Sequence, residues 1–193
     1  MKKIVTILFL LLPVLMPAQN RHHPEVGAGF AIHKELLFEN SFKEDNALEA
    51  YAKYRYDLGK GFSVGAMYSF VLPHKHPYYM NEGEDNMMDL TFKINSHTLD
   101  AIAEYKTERF GPMCLFAELG GGAQMCYIDS EFKSLRGYYY ALNVYACVGL
   151  EFLDHLRVTA GHVHDLHYPF EDLSRGTSYY YFALGTTATA SPC

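Results

Sequence analysis

Three histidines crowd one short stretch of the chain, His162 and His164 flanking Val163, with His167 close behind. If that stretch is a strand, His162 and His164 share a face, because successive side chains alternate, and two imidazoles could then grip a zinc-like ion. A metal centre needs three or four convergent ligands. Spacing supplies no fixed third ligand, so His162, His164 and His167 are weak metal candidates and the expectation is no metal and no cofactor. His74 and His76 lie between Pro73 and Pro77 and read as loop residues. The acidic run Asn81 to Asn86 has oxygen ligands near Gly83 but not the spacing of a calcium-binding loop, and reads as a solvated loop tip.

A second chemical set consists of charges at alternate positions. From Ala47 to Leu58, Glu49, Tyr51, Lys53, Arg55 and Asp57 fall on one face of an extended chain, and Leu48, Ala50, Ala52, Tyr54, Tyr56 and Leu58 on the other. The same parity places Asp100, Glu104, Lys106, Glu118, Glu151 and Arg157 on inward faces. These charges carry both signs and are expected to plug a narrow interior with ion pairs, since unpaired charges there are costly. Glu151 and Arg157 flank a short turn and are expected to pair, with Lys53 and Arg55 facing Glu104 and Glu118. No residue is assigned a catalytic role.

Such charged faces need a closed sheet to hold them. The N-terminal MKKIVTILFLLLPVLMPAQ has two lysines, an apolar run too short to span a bilayer as a helix, and a small residue at Ala18, the layout of a secretory signal peptide over residues 1–18. The remaining residues 19–193 suit one domain of roughly eight strands of about 10 residues. Net charge is −6 with no basic cluster after the signal, which argues against nucleic acid. Tryptophan is absent, so the 16 Tyr and 13 Phe must supply any aromatic girdle at a membrane interface. The cysteines Cys114, Cys126, Cys147 and Cys193 lack CxxC spacing and read as small fillers and a free tail residue.

The alternation predicts strands over Glu25 to His33, Ala47 to Leu58, Phe62 to Leu72, Thr98 to Lys106, Met113 to Ile128, Tyr138 to Phe152, Leu156 to His164 and Thr177 to Thr189. Met88, Leu90, Phe92 and Ile94 alternate out of phase with Leu99, Ala101, Ala103 and Tyr105, which predicts a bulge near Asn95 to His97 and an extension above the membrane over Met87 to Ile94. Connections alternate long (Lys34 to Asn46, Pro73 to Ser96, Asp129 to Arg136, Asp165 to Gly176) and short, the asymmetry of a transmembrane barrel. The expected fold is an all-β, eight-stranded antiparallel up-and-down transmembrane barrel.

On this strand layout, residues 25–189 resemble the small outer-membrane protein A/X-like barrels and, more closely, the short outer-membrane barrels of Bacteroidetes. The resemblance implies a monomer in the outer membrane, exported through a cleaved signal. Its partners would be lipid and lipopolysaccharide, the barrel-assembly machinery, and an extracellular ligand at the loops, where Tyr78, Tyr79, Tyr168 and Phe170 offer contact surface. Such barrels commonly end on an aromatic residue; here the chain ends in Ala190-Ser191-Pro192-Cys193, leaving Tyr181 and Phe182 upstream. The leading reading is non-enzymatic, structural or surface-interacting. The alternative is a lipid A-modifying enzyme, although the deacylase pattern of histidine with serine two residues later is missing at His162, and Ser174 and Ser178 have no obvious geometry toward it. A soluble periplasmic ligand-binding barrel comes third, against its charged interior.

Overall fold

The computed structural model describes residues 21–37, 41–81, 87–129, 136–167 and 178–187, with side chains described except at 33–46, 74–92, 94, 165, 167 and 178–179. Eight strands close into an antiparallel barrel in chain order: β1 (His22–Leu37), β2 (Ser41–Gly59), β3 (Phe62–Asn81), β4 (Met87–Lys106), β5 (Met113–Asp129), β6 (Gly137–Phe152), β7 (Leu156–His167) and β8 (Ser178–Thr187). The described residues contain no helix. The signal segment, the acidic loop at 82–86, the loop residues Tyr168, Phe170 and Ser174, and Cys193 lie outside the described residues.

The seam is made by β1 and β8, with Phe30 opposite Phe182 and Glu25 opposite Thr187. Every ladder joins chain neighbours except this one, so closure leaves no sheet edge with unpaired backbone groups inside the bilayer. Among the described residues Pro24 pairs with Tyr54 of β2, and the β8 ladder joins β1 from Glu25 onward, so its missing N–H costs no described ladder bond.

Alternation sorts the side chains inside out relative to a soluble barrel. Along β6, Tyr138, Tyr140, Leu142, Val144 and Val148 are exposed while Asn143, Tyr145, Cys147 and Glu151 are buried. The same holds around the wall, with Val26, Phe30, Leu48, Leu99, Leu119, Val158, Phe182 and Leu184 outward. An apolar outer surface this continuous is unfavourable in water and favourable against hydrocarbon. The fold is therefore a transmembrane barrel, and the soluble ligand-binding arrangement, which needs the reverse sorting, is overturned.

Two bands of aromatic side chains bound the outward face, built from tyrosine, phenylalanine and histidine. Near the short turns, Phe62 meets Tyr105 at 4.8 Å between ring centroids, and His22 hydrogen-bonds Tyr54 and contacts Tyr56. Near the long hairpins, His97 meets Phe70 at 4.7 Å and its Nδ1 lies 2.6 Å from the Tyr68 hydroxyl, while Tyr127 meets Tyr138 at 4.9 Å. The stretches from Phe62 to Phe70 and from Tyr105 to His97 fit the about 9–11 residues a tilted strand needs to cross.

Three expectations need correction. Several strands run past their predicted ends: β1 and β2 pair out to Leu37 opposite Ser41, and β3 pairs with the expected β4 extension out to Asn81 opposite Met87. Above a membrane both faces of a hairpin are wet, so pairing persists without the alternation that revealed the lower halves. The bulge expected in β4 near Asn95 to His97 is instead a register shift in β3 between Val71 and His74, while β4 pairs β5 without interruption from Lys93 to Lys106. Pro73 sits in that gap; lacking an N–H, it cannot serve a ladder position. Strand seven likewise continues to His167.

The short turns are specified locally. At Gly59-Lys60-Gly61 all three residues have positive φ (93°, 56° and 81°), and the Gly59 N–H donates to Asp57 Oδ1 at 2.6 Å. A side chain at Gly61 would sit 2.2 Å from the Lys106 carbonyl oxygen. Leu153 and Asp154 turn β6 into β7 with φ of 51° and 62°, the mirror-image geometry that suits a two-residue hairpin.

Candidate functional site: the lumen charge network

Burial, charge and polar partners concentrate in the lumen on the short-turn side. Glu25 from β1, Arg55 from β2, Glu104 from β4 and Arg157 from β7 form a closed ring. Arg55 donates from Nη2 to Glu25 Oε2 at 2.8 Å and from Nη1 to Glu104 Oε2 at 2.6 Å. Arg157 donates from Nη1 to the same Glu25 oxygen at 2.8 Å and from Nη2 to Glu104 Oε2 at 2.5 Å. Two planar guanidiniums thus bridge two carboxylates through charge-assisted hydrogen bonds. Arg157 is fully buried, and its guanidinium carbon stands 3.6 Å from the centroid of the Phe116 ring. The Tyr51 hydroxyl donates to Glu25 Oε1 at 2.8 Å.

Layers of further pairs lie above and below. Lys53 Nζ is 2.7 Å from Glu118 Oε1, which also accepts from the Tyr145 hydroxyl at 2.6 Å. Toward the short turns, Lys106 Nζ is 2.8 Å from Glu151 Oε1, and Arg157 Nε is 3.5 Å from Glu151 Oε2. Glu151 and Arg157 are direct register partners across the β6–β7 hairpin. Glu49 and Asp100 lie on the long-hairpin side of this stack, lining a cavity of about 10 Å³ with Thr159 and Tyr181. That space holds about one water molecule.

Eight of the ten charges read as lumenal from the sequence are buried there: Glu49, Lys53, Arg55, Asp100, Glu104, Glu118, Glu151 and Arg157. Lys106 is half-open at the mouth, with 35 % of its side chain exposed. Asp57 stands apart, capping the β2–β3 turn rather than joining the stack. Glu25 is the residue that pattern reading passed over, although its parity opposite outward Val26 was available; Tyr51, read on the charged face, is lumenal, as are Tyr145 and Tyr181. The Gly120 position is specified by one of them, since a side chain there would lie 2.0 Å from the Tyr145 ring.

Pairing β5 with β6 sets Cys126 opposite Tyr139 and Cys147 opposite Glu118, and Cys114, Cys126 and Cys147 are buried thiols outside any disulfide. His162 and His164 point outward, 6.4 Å apart and stacked, with His162 also 4.7 Å from Tyr180. The side chain of His167 lies outside the described residues, as do those of His74, His76, Tyr78 and Tyr79. Among the described residues no group of three or more His, Cys, Asp or Glu side chains is placed to hold a metal ion.

This barrel meander matches solved structures over nearly their whole length. Neisserial surface protein A aligns over 91 % of this chain and 100 % of its own, with a TM-score of 0.56 at 9 % identity. The fold is that of the small outer-membrane barrels. The outer membrane protein OprG of Pseudomonas aeruginosa aligns over 90 % of this barrel and 99 % of its own chain, with a TM-score of 0.52 at 10 % identity. The N-terminal barrel domain of Pseudomonas aeruginosa OprF also aligns, over 88 % of this barrel and 100 % of that domain, with a TM-score of 0.49 at 16 % identity. No family profile and no curated protein matches the sequence.

Proposed function

We propose that the protein is a non-enzymatic barrel of the outer membrane, closed to solutes, that reinforces the envelope and presents its long hairpins to partners outside the cell. The short turns then face the periplasm. The observation that carries this reading is the Glu25, Arg55, Glu104 and Arg157 ring, which spans the lumen between β1, β2, β4 and β7 with every guanidinium and carboxylate engaged. An eight-stranded wall encloses room for side chains and little more. Lipid, lipopolysaccharide and the barrel-assembly machinery are its implied partners, and the monomer its implied state. Planar-bilayer recording tests closure: purified barrel should give no steady channels, and large, stable conductance would overturn the reading.

The alternative, a lipid A-modifying enzyme, draws on His162 and His164 on the outward face beside Tyr180, where lipid is within reach. A hydrolase of this kind also needs a nucleophile and an orienting carboxylate in hydrogen-bond reach. Incubation of folded protein with lipid A, followed by mass spectrometry, separates the two: an acyl-chain mass change abolished by His162→Ala would favour the enzyme.

A further inference from the structure

The outward face carries a furrow of about 500 Å³ on the wall from β5 through β8 to β1, within the range of small-molecule sites. Register explains its shape. Its upper rim is a row in which Ala160 lies opposite Phe182 and Phe182 opposite Phe30; its lower rim is a row in which Leu150 lies opposite Val158 and Val158 opposite Leu184. The row between points into the lumen, so only the backbone of Gly149, Thr159, Ala183 and Gly29 faces outward. Ala160, the small member of the upper rim, lies between Val148 and Phe182.

We propose that this furrow holds one acyl chain of a phospholipid from the leaflet on the short-turn side. The inference rests on the outer-membrane reading above. Its lining is almost wholly apolar, with no charged group that a headgroup or a peptide would need. It lies inside the apolar band, below Tyr180 on β8, so hydrocarbon is what surrounds it. Its lower rim at Leu150 and Val158 lies a few residues from the β6–β7 turn at Leu153 and Asp154, so the headgroup of a chain seated there would stand at the short-turn interface, where Arg109 pairs with Asp154. In the proposed orientation that level is the periplasmic interface, where phospholipid lies.

The test uses the full mature chain, reconstituted into vesicles of phosphatidylethanolamine and phosphatidylglycerol with added lipopolysaccharide, extracted gently and weighed by native mass spectrometry. One retained phospholipid is expected on the native barrel. Ala160→Phe should fill the furrow and lower the retained fraction about tenfold, the equivalent of about 1.4 kcal/mol. Ala101→Phe, outward on β4 away from the furrow, should leave it unchanged. A barrel that folds, shown by a gel shift on boiling, yet retains no phospholipid, retains lipopolysaccharide instead, pairs with a second copy, or loses lipid equally in both variants overturns the proposal. A chain that never yields a heat-modifiable barrel overturns the membrane reading and this inference with it.

Discussion

Glu25 and Arg157 stand 132 residues apart in the chain, yet Arg157 Nη1 donates to Glu25 Oε2 at 2.8 Å across the strand that seals the barrel. Because β8 lies between β1 and β7, this bond forms only when the barrel is closed. The ion pair therefore reports closure as well as contributing to it.

Replacing Arg157 by Met should strand Glu25 and Glu104 with one guanidinium between them, and also remove the stacking on Phe116. Breaking a buried pair by removing one partner costs about 3–5 kcal/mol. The urea midpoint of the barrel refolded in vesicles should fall accordingly. A midpoint matching the native barrel would show that the ring contributes no net stability.

Gly120→Ala should displace the Tyr145 ring, because the added carbon would lie 2.0 Å from it. Its hydroxyl then loses the 2.6 Å bond to Glu118. Overpacking of this kind costs about 1–3 kcal/mol. Gly111→Ala serves as the contrast, with nothing within 4 Å of the added carbon but a φ of 65° that strains the turn. Near-ultraviolet tyrosine signals should change in the first variant and not in the second.

At the short-turn end, the hydrogen bond and charge of Arg109 hold the Asp154 carboxyl below the ordinary carboxylate range. A depressed value means the pair stabilises the fold above the unfolded carboxyl value of about 3.9. That contribution is lost as pH falls through the lower folded value. Both side chains are about half exposed, so salt should screen the effect. Arg109→Gln should move the Asp154 titration, followed by carboxyl carbon resonances, back up toward the ordinary value. An unmoved inflection would separate the two residues.

Cys114, Cys126 and Cys147 should resist maleimide in the folded barrel and react once urea opens it, since their accessibilities are 4 %, 7 % and 5 %. Rapid labelling of the Cys147 thiol in the native state would contradict its place beside Glu118, whose Oε1 lies 3.8 Å away.

Much of the wall was legible along the chain because a strand writes its two environments in alternate letters. Leu48 through Leu58 against Glu49 through Asp57, and Tyr138 through Phe152 against Asn143 and Glu151, carry that code without help from distant residues. It weakened where the environments became equal. Beyond a membrane a hairpin has water on both faces, so the β3 half of the ribbon, out to Asn81, read as loop while Met87 to Ile94 read as a strand extension, and the out-of-phase run before Ser96 suggested a bulge in β4 where the register shifts in β3 around Pro73.

The sequence by itself determined the strand number, which face of each strand meets lipid, and that carboxylates and cations of both signs line the interior, because these follow from local alternation. Lys53 and Arg55 were expected to face Glu104 and Glu118, and they do, but only the tertiary structure brought Glu25 into the ring and fixed which partner each takes. Glu25 meets Arg157 rather than its register partner Lys53, and Lys53 turns to Glu118, because the curvature of a narrow closed wall brings side chains from non-neighbouring strands to a common axis. The furrow has the same origin. Ala160, Phe182 and Phe30 form a rim only once ladder register and seam have set three separate strands side by side.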